Sequence, residues 1–140
     1  MGVYILMGIV ILLVLICLII YNSLVKSRNL VKEAFSTMDV YLKKRWDLVP
    51  NLVEVVKGYT SYENNTLTKI TELRANSYND LTMDKKININ EQLTNAISSI
   101  IAVSENYPEL KASENFLNLS KSLTKIEDDI ANSRKYYNGT

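Results

Sequence analysis

The sequence predicts an all-α protein in which an N-terminal transmembrane segment carries a small helical bundle. Three observations predict it. The chain opens on an apolar run, its remainder repeats apolar residues at steps of three and four, and only 4 Gly and 2 Pro interrupt 140 residues. So few breakers argue for long uninterrupted elements, which helices supply. The expected division is an anchor over residues 1–25 and one bundle domain over residues 26–140. About 115 residues suffice for one modest helical core.

Residues 1–25 contain no charged side chain, and from Val3 to Ile20 only Tyr4, Gly8 and Cys17 break the run of large apolar residues. About 20 helical residues cover the roughly 30 Å hydrocarbon core of a bilayer. Tyr4 and Tyr21 fall near the two expected interfaces, where aromatic rings with a polar tip are favoured. A cleaved signal peptide would want a basic start, a shorter apolar stretch and a small-x-small site. Here the run begins at once and Tyr21-Asn22-Ser23-Leu24 offers no such site, so an uncleaved anchor is expected. Cys17 follows bulky Leu15 and Ile16, which argues against lipidation and for a small apolar residue within the span.

Orientation follows from the flanks. Residues 26–57 carry seven Lys/Arg and four Asp/Glu, whereas residues 58–140 carry nine and eleven. The basic excess therefore sits beside the anchor, and cations on the C-terminal side predict a single-pass plasma-membrane protein with its N-terminus outside and its bundle in the cytoplasm.

Beyond the anchor, Phe35, Met38, Leu42, Val49, Leu52, Val56, Tyr59, Ile70 and Leu73 keep amphipathic helical spacing. Pro50 leaves two readings open. It suits the first turn of a second helix beginning at Leu48 and capped by Asp47, giving a hairpin. The stripe also runs through it almost in phase, giving one long kinked helix. Asn76 to Lys86 reads as a loop from its Asn, Asp, Ser and Thr content. Asn88 and Glu91 have the spacing of a capping box for the next helix, whose stripe is Leu93, Ile97, Ile100 or Ile101, and Ser104. Tyr107-Pro108 ends it. Ser113 is placed to cap a last helix with the stripe Phe116, Leu119, Leu123, Ile126, Ile130, Ser133 and Tyr137. Steps of 3, 4, 3, 4, 3, 4 predict close, coiled-coil-like packing. Gly139 is either a C′ residue or inside the helix.

Tyr21-Asn22-x-Leu24-Val25-x-x-Arg28-Asn29-x-Val31-x-Glu33-Ala34 follows the apolar run. A second block reads Asp39-Val40-x-Leu42-Lys43-Lys44-Arg45-x-Asp47-Leu48-Val49-Pro50-Asn51-Leu52-Val53, then Val56-Lys57-Gly58-Tyr59 and Glu63. Later come Tyr107-Pro108-Glu109-Leu110-Lys111-Ala112, Asn115-Phe116, Arg134 and Tyr137-Asn138. Over nearly its whole length the chain resembles the LemA family of bacterial membrane proteins. That resemblance implies an up-and-down, four-helix-type bundle of long antiparallel helices behind one span, with the N-terminus out and the C-terminus in. It supplies no catalytic activity. Members of the family continue the last helix past the Tyr-Asn pair and add an apolar tail. The expectation at Thr140 is therefore a short form or a last helix cut short.

The composition excludes several function classes. A net charge of +1 gives no reason to invoke nucleic acid. With no His and one Cys, a disulfide framework and a His/Cys metal site within one chain are both excluded. The ferritin-type site needs Glu-x-x-His motifs, which are absent. A nucleophile needs a partner base of suitable pKa; His is absent, and Asp39, Asp47, Glu54 and Glu63 are the carboxylates in the second motif block. For Asp39, an ion pair with Lys43 or Arg45 outweighs an acid/base or metal role. No catalytic, cofactor-binding or metal residue is expected.

Candidate interaction residues are cationic. Lys43-Lys44-Arg45 is a basic run that suits anionic lipid or an acidic partner, with a solvated face as the plainer reading. If Pro50 marks a hairpin, Lys85, Lys86, Arg134 and Lys135 return to the membrane end with Tyr136 and Tyr137. There they join Lys26 and Arg28 in a basic, aromatic collar. Trp46, Tyr59 and Tyr62 are expected to pack in the bundle. Gly58 costs about 1 kcal/mol against Ala in a helix and is expected to mark close approach of another helix, or else a hinge. The function expected is a non-enzymatic scaffold whose partners are the membrane, a second copy of itself or an unidentified membrane-associated protein. A lipid-binding or membrane-shaping bundle is the alternative, and a carboxylate-only enzyme the remote one.

Overall fold

The computed structural model describes residues 1–59 and 65–140. Ser61, Tyr62 and Glu63 lie outside the described residues. Helix α1 spans Gly2–Tyr59, α2 Asn65–Leu73, α3 Met83–Ser104, α4 Pro108–Ala112 and α5 Glu114–Gly139, with a 3-10 turn at Tyr78–Asp80. No strand occurs among the described residues.

Of the two readings at Pro50, the structure shows one unbroken helix with the proline inside it. Proline removes one backbone hydrogen bond and costs about 3 kcal/mol in a helix interior. The residues on either side explain why the helix persists. Trp46 and Val49 before it, and Leu52, Val53 and Val56 after it, are all buried. Only a continuing helix keeps both sets on one face, and each such side chain contributes about 1.5–3 kcal/mol when fully buried. Asp47 therefore caps nothing and pairs with Lys43 at 2.5 Å.

The chain then passes back and forth along the upper part of α1. Arg74 lies over Trp46 and the Tyr78 hydroxyl reaches Asp39, so the segment after α2 runs back toward the apolar end of α1. Helix α3 starts at that end, where the Tyr137 hydroxyl meets Met83, and runs away from it. Helix α5 returns, with Glu127 beside Arg45 and Tyr137 against Phe35. The result is an up-and-down four-helix bundle, with one-turn α4 at the far end. Its core holds Met38, Leu42, Leu52, Ile70, Leu93, Ile97, Ile100, Leu110, Leu123 and Ile130. Ile100 occupies the position the sequence left open, and Ile101 packs at the rim.

Below the core, α1 projects alone. Residues 2–30 are all exposed, and Ala34 is the first buried residue. Its N-terminal part is a candidate membrane span, apolar and long enough to cross a bilayer. Val3, Tyr4, Ile20 and Tyr21 are all exposed on it.

Several local expectations are corrected. Helix α3 begins at Met83 with Thr82 as N-cap, not at Asn88. Burying a further turn against α1 and α5 outweighs the local cap, and Asn88 instead accepts from Gln92 at 2.7 Å. The Asn76–Lys86 segment is not all loop, because Tyr78 is buried and Met83–Lys86 are helical. Ser113 does cap α5, accepting from the Phe116 N–H at 3.5 Å. Gly139 lies inside α5 without positive φ. Around Gly58 nothing described lies within 4 Å of where a Cβ would stand, so close helix approach is not its reason. It lies beyond Val56, the last buried residue of α1, and Tyr59 beside it is exposed rather than packed.

Candidate functional site

Polar chemistry is gathered at two places inside the bundle. The first is centred on Arg45. It stands three residues after Leu42 and four before Val49, so the helical repeat turns it inward, and it is only 2% exposed. Its Nη1 donates to Asn90 Oδ1 at 3.0 Å and to Thr94 Oγ1 at 2.8 Å, and it pairs with Glu127. Helices α1, α3 and α5 are thus tied by one guanidinium. Burial pulls the Arg45 pKa below its ordinary value, while the charge and hydrogen bond of Glu127 pull it back up. An unpaired charge here would cost several kcal/mol.

The second place is centred on Tyr78, whose hydroxyl donates to Asp39 Oδ1 at 2.6 Å. Lys86 Nζ lies 3.0 Å from the same carboxylate and 4.4 Å above the Tyr78 ring. Lys43 lies 5.4 Å over that ring, and Trp46 packs beside it with centroids 5.4 Å apart. Burial, the hydrogen bond to Asp39 and the charges of Asp39 and Asp47 all push the Tyr78 hydroxyl well above its ordinary pKa. This cluster fastens the segment between α2 and α3 onto α1.

Asp39 is therefore engaged, but with Lys86 and Tyr78 rather than with Lys43 or Arg45. The basic run is divided as well. Lys44 is exposed and stands over the Tyr41 ring, Lys43 pairs with Asp47, and Arg45 is buried away from both. Lys85, Lys86, Arg134 and Lys135 do reach the end of the bundle nearest the apolar segment, although no hairpin forms at Pro50. Lys86 is taken by Asp39 and Arg134 by Glu91. Lys85 and Lys135 are in no ion pair among the described residues, and Lys26, Arg28 and Lys32 on α1 add further positive charge beside the apolar segment.

Asn90, Thr94, Glu127 and Tyr78 escaped the sequence reading. A usable signal existed for Asn90, which precedes Leu93 by three residues and so falls on the buried stripe. Between α3 and α5 the polar tie opens on a groove of about 560 Å³, lined by Asn90, Thr94, Asn95, Glu127, Ala131 and Arg134 among others. Among the described residues no three His, Cys, Asp or Glu side chains cluster as metal ligands would.

Fold and site together define a class: a four-helix bundle carried on an apolar helix of membrane-spanning length and pinned internally by ion pairs. The LemA family model matches residues 34–140, and the chain belongs to that family. It is similar to Protein LemA of Metamycoplasma hominis, 29% identical over 109 residues. The match covers 77% of this chain and 50% of the relative, so the chain spans about half the length of that protein.

Proposed function

We propose that the chain is a single-pass plasma-membrane scaffold that works by binding and not by catalysis. The observation that carries this reading is the continuity of α1, one helix from Gly2 to Tyr59. The same rod supplies the apolar segment and the central core residues of the bundle. About eight residues, or 12 Å, separate the apolar segment from the first buried position. A bundle so held presents its faces at a fixed height and orientation, which suits docking of a membrane-associated protein or of a second copy. Lys26, Arg28 and Lys32 beside the apolar segment favour a cytoplasmic bundle and an outside N-terminus. Engagement of Asp39, Asp47 and Glu127 in ion pairs supports structural rather than catalytic roles for these carboxylates. Direct action of the bundle end on lipid draws less support, because two of the cations gathered there, Lys86 and Arg134, are held in ion pairs.

In-cell photo-crosslinking from exposed Lys44, Lys69 and Lys121, read by mass spectrometry, tests the proposal. Recurrent protein adducts support it. Adducts to lipid alone at all three positions sink it in favour of the lipid reading.

A further inference from the structure

We infer that the groove between α3 and α5 is where two copies of this chain meet, as a two-fold pair whose axis runs along the bundle. The inference rests on the anchored reading above, which holds both copies upright in one membrane.

Three observations lead to it. From Gln92 to Ser104, α3 carries no charged residue, yet Asn95, Ser98, Ser99 and Ala102 are exposed. The outer surface of α5 is different, with Lys121, Lys125 and Asp129. Depletion of charged residues is one component of the compositional signal of an interface core. The second observation is the groove itself, which adjoins this stretch at Thr94 and Asn95 and is otherwise polar, with Glu91, Glu127, Arg134 and Lys135 in its lining, so that it carries both signs of charge.

Charge complementarity then selects the occupant. Two upright copies related by a two-fold along the bundle place α3 of each opposite α5 of the other, at equal height. Within one copy the Arg134–Glu91 pair shows which parts of the two helices share a height. Lys135, next to Arg134, therefore comes opposite Glu91 of the second copy, and symmetry makes the contact twice. Lys135 is exposed and in no ion pair among the described residues, while the Glu91 side chain is 52% exposed and can accept a second cation. The same patch thus carries both signs at matching heights, as an isologous contact requires.

The test uses the full chain in native membranes, with Cys17→Ser to remove the native thiol and Asn95→Cys as reporter, treated with a short bismaleimide. A crosslinked dimer is expected from Asn95→Cys and not from Val40→Cys, an exposed α1 position outside the groove. Adding Lys135→Glu or Glu91→Lys to the reporter should each remove the dimer. Co-expressing these two reversed chains should restore it between them, which also shows that both fold. A dimer equally strong from Val40→Cys, none from Asn95→Cys, insensitivity to either reversal, or no recovery on co-expression would each overturn the pairing. Alkaline extraction of the same membranes separates the two readings. Chain released from the membrane defeats the anchor, whereas chain retained without an Asn95→Cys dimer defeats the pairing alone.

Discussion

Arg45 on α1 and Glu127 on α5 pair across the bundle interior, the cation almost wholly buried and the carboxylate side chain 39% exposed. The pair is asymmetric in consequence. Glu127 can turn to water if its partner is lost, but Arg45 cannot.

Removing the carboxylate should therefore hurt more than removing both charges. Glu127→Ala is expected to cost about 1–3 kcal/mol, because a buried donor loses its charged acceptor. Arg45→Met combined with Glu127→Leu is expected to be near neutral or stabilising, since well-packed apolar replacements of buried ion pairs often are. Thermal unfolding of the detergent-solubilised chain, followed by circular dichroism, ranks the variants. Equal losses in the single and double variants would contradict this account.

Alkaline pH should loosen the Tyr78 cluster. Its folded pKa is raised, so the stability it adds is fully present below the ordinary tyrosine value near 10 and is lost as pH rises beyond it. Tyr78→Phe should lower the melting temperature at pH 7 and flatten the fall above pH 10. If the variant keeps the wild-type alkaline slope, another group that titrates in this range, a tyrosine or a lysine, carries the effect.

Gly58 stands in a helix, and among the described residues nothing lies within 4 Å of its Cβ position. Gly58→Ala should therefore raise stability by about 0.5–1 kcal/mol through backbone entropy and helix propensity. Denaturant midpoints of the two chains measure it, and a loss of stability would point to a close contact after all.

Leu123 on α5 is 1% exposed at the centre of the core. Leu123→Ala is expected to cost about 2–5 kcal/mol, whereas Leu117→Ala, at a position 52% exposed on the same helix, should change little. Similar effects from both would mean that α5 packs in a different register.

Sequence periodicity located what depends on repeated burial. Met38, Leu42, Val49 and Leu52 on α1, and Phe116, Leu123, Ile126 and Ile130 on α5, lie on the stripes they define. Ser113 was legible because its cap is local. Features decided by distant partners were not. Pro50 reads locally as a break, and only the buried residues on both sides of it make the helix continue. Arg45 sits in a basic run that resembles a solvated face, although its spacing from Leu42 and Val49 marks it as inward. Tyr78 lies in a segment of loop composition, and its burial depends on Asp39 and Trp46, which no spacing rule connects to it.

The proposed topology puts α1 across the membrane and the bundle on its cytoplasmic side. Thiol labelling tests it most directly, using Lys121→Cys in a Cys17→Ser background and a membrane-impermeant maleimide on intact and permeabilised cells. A chain so placed resists alkaline extraction, and its Lys121→Cys variant is labelled only after permeabilisation. Labelling in intact cells, or release of the chain by alkali, would contradict it.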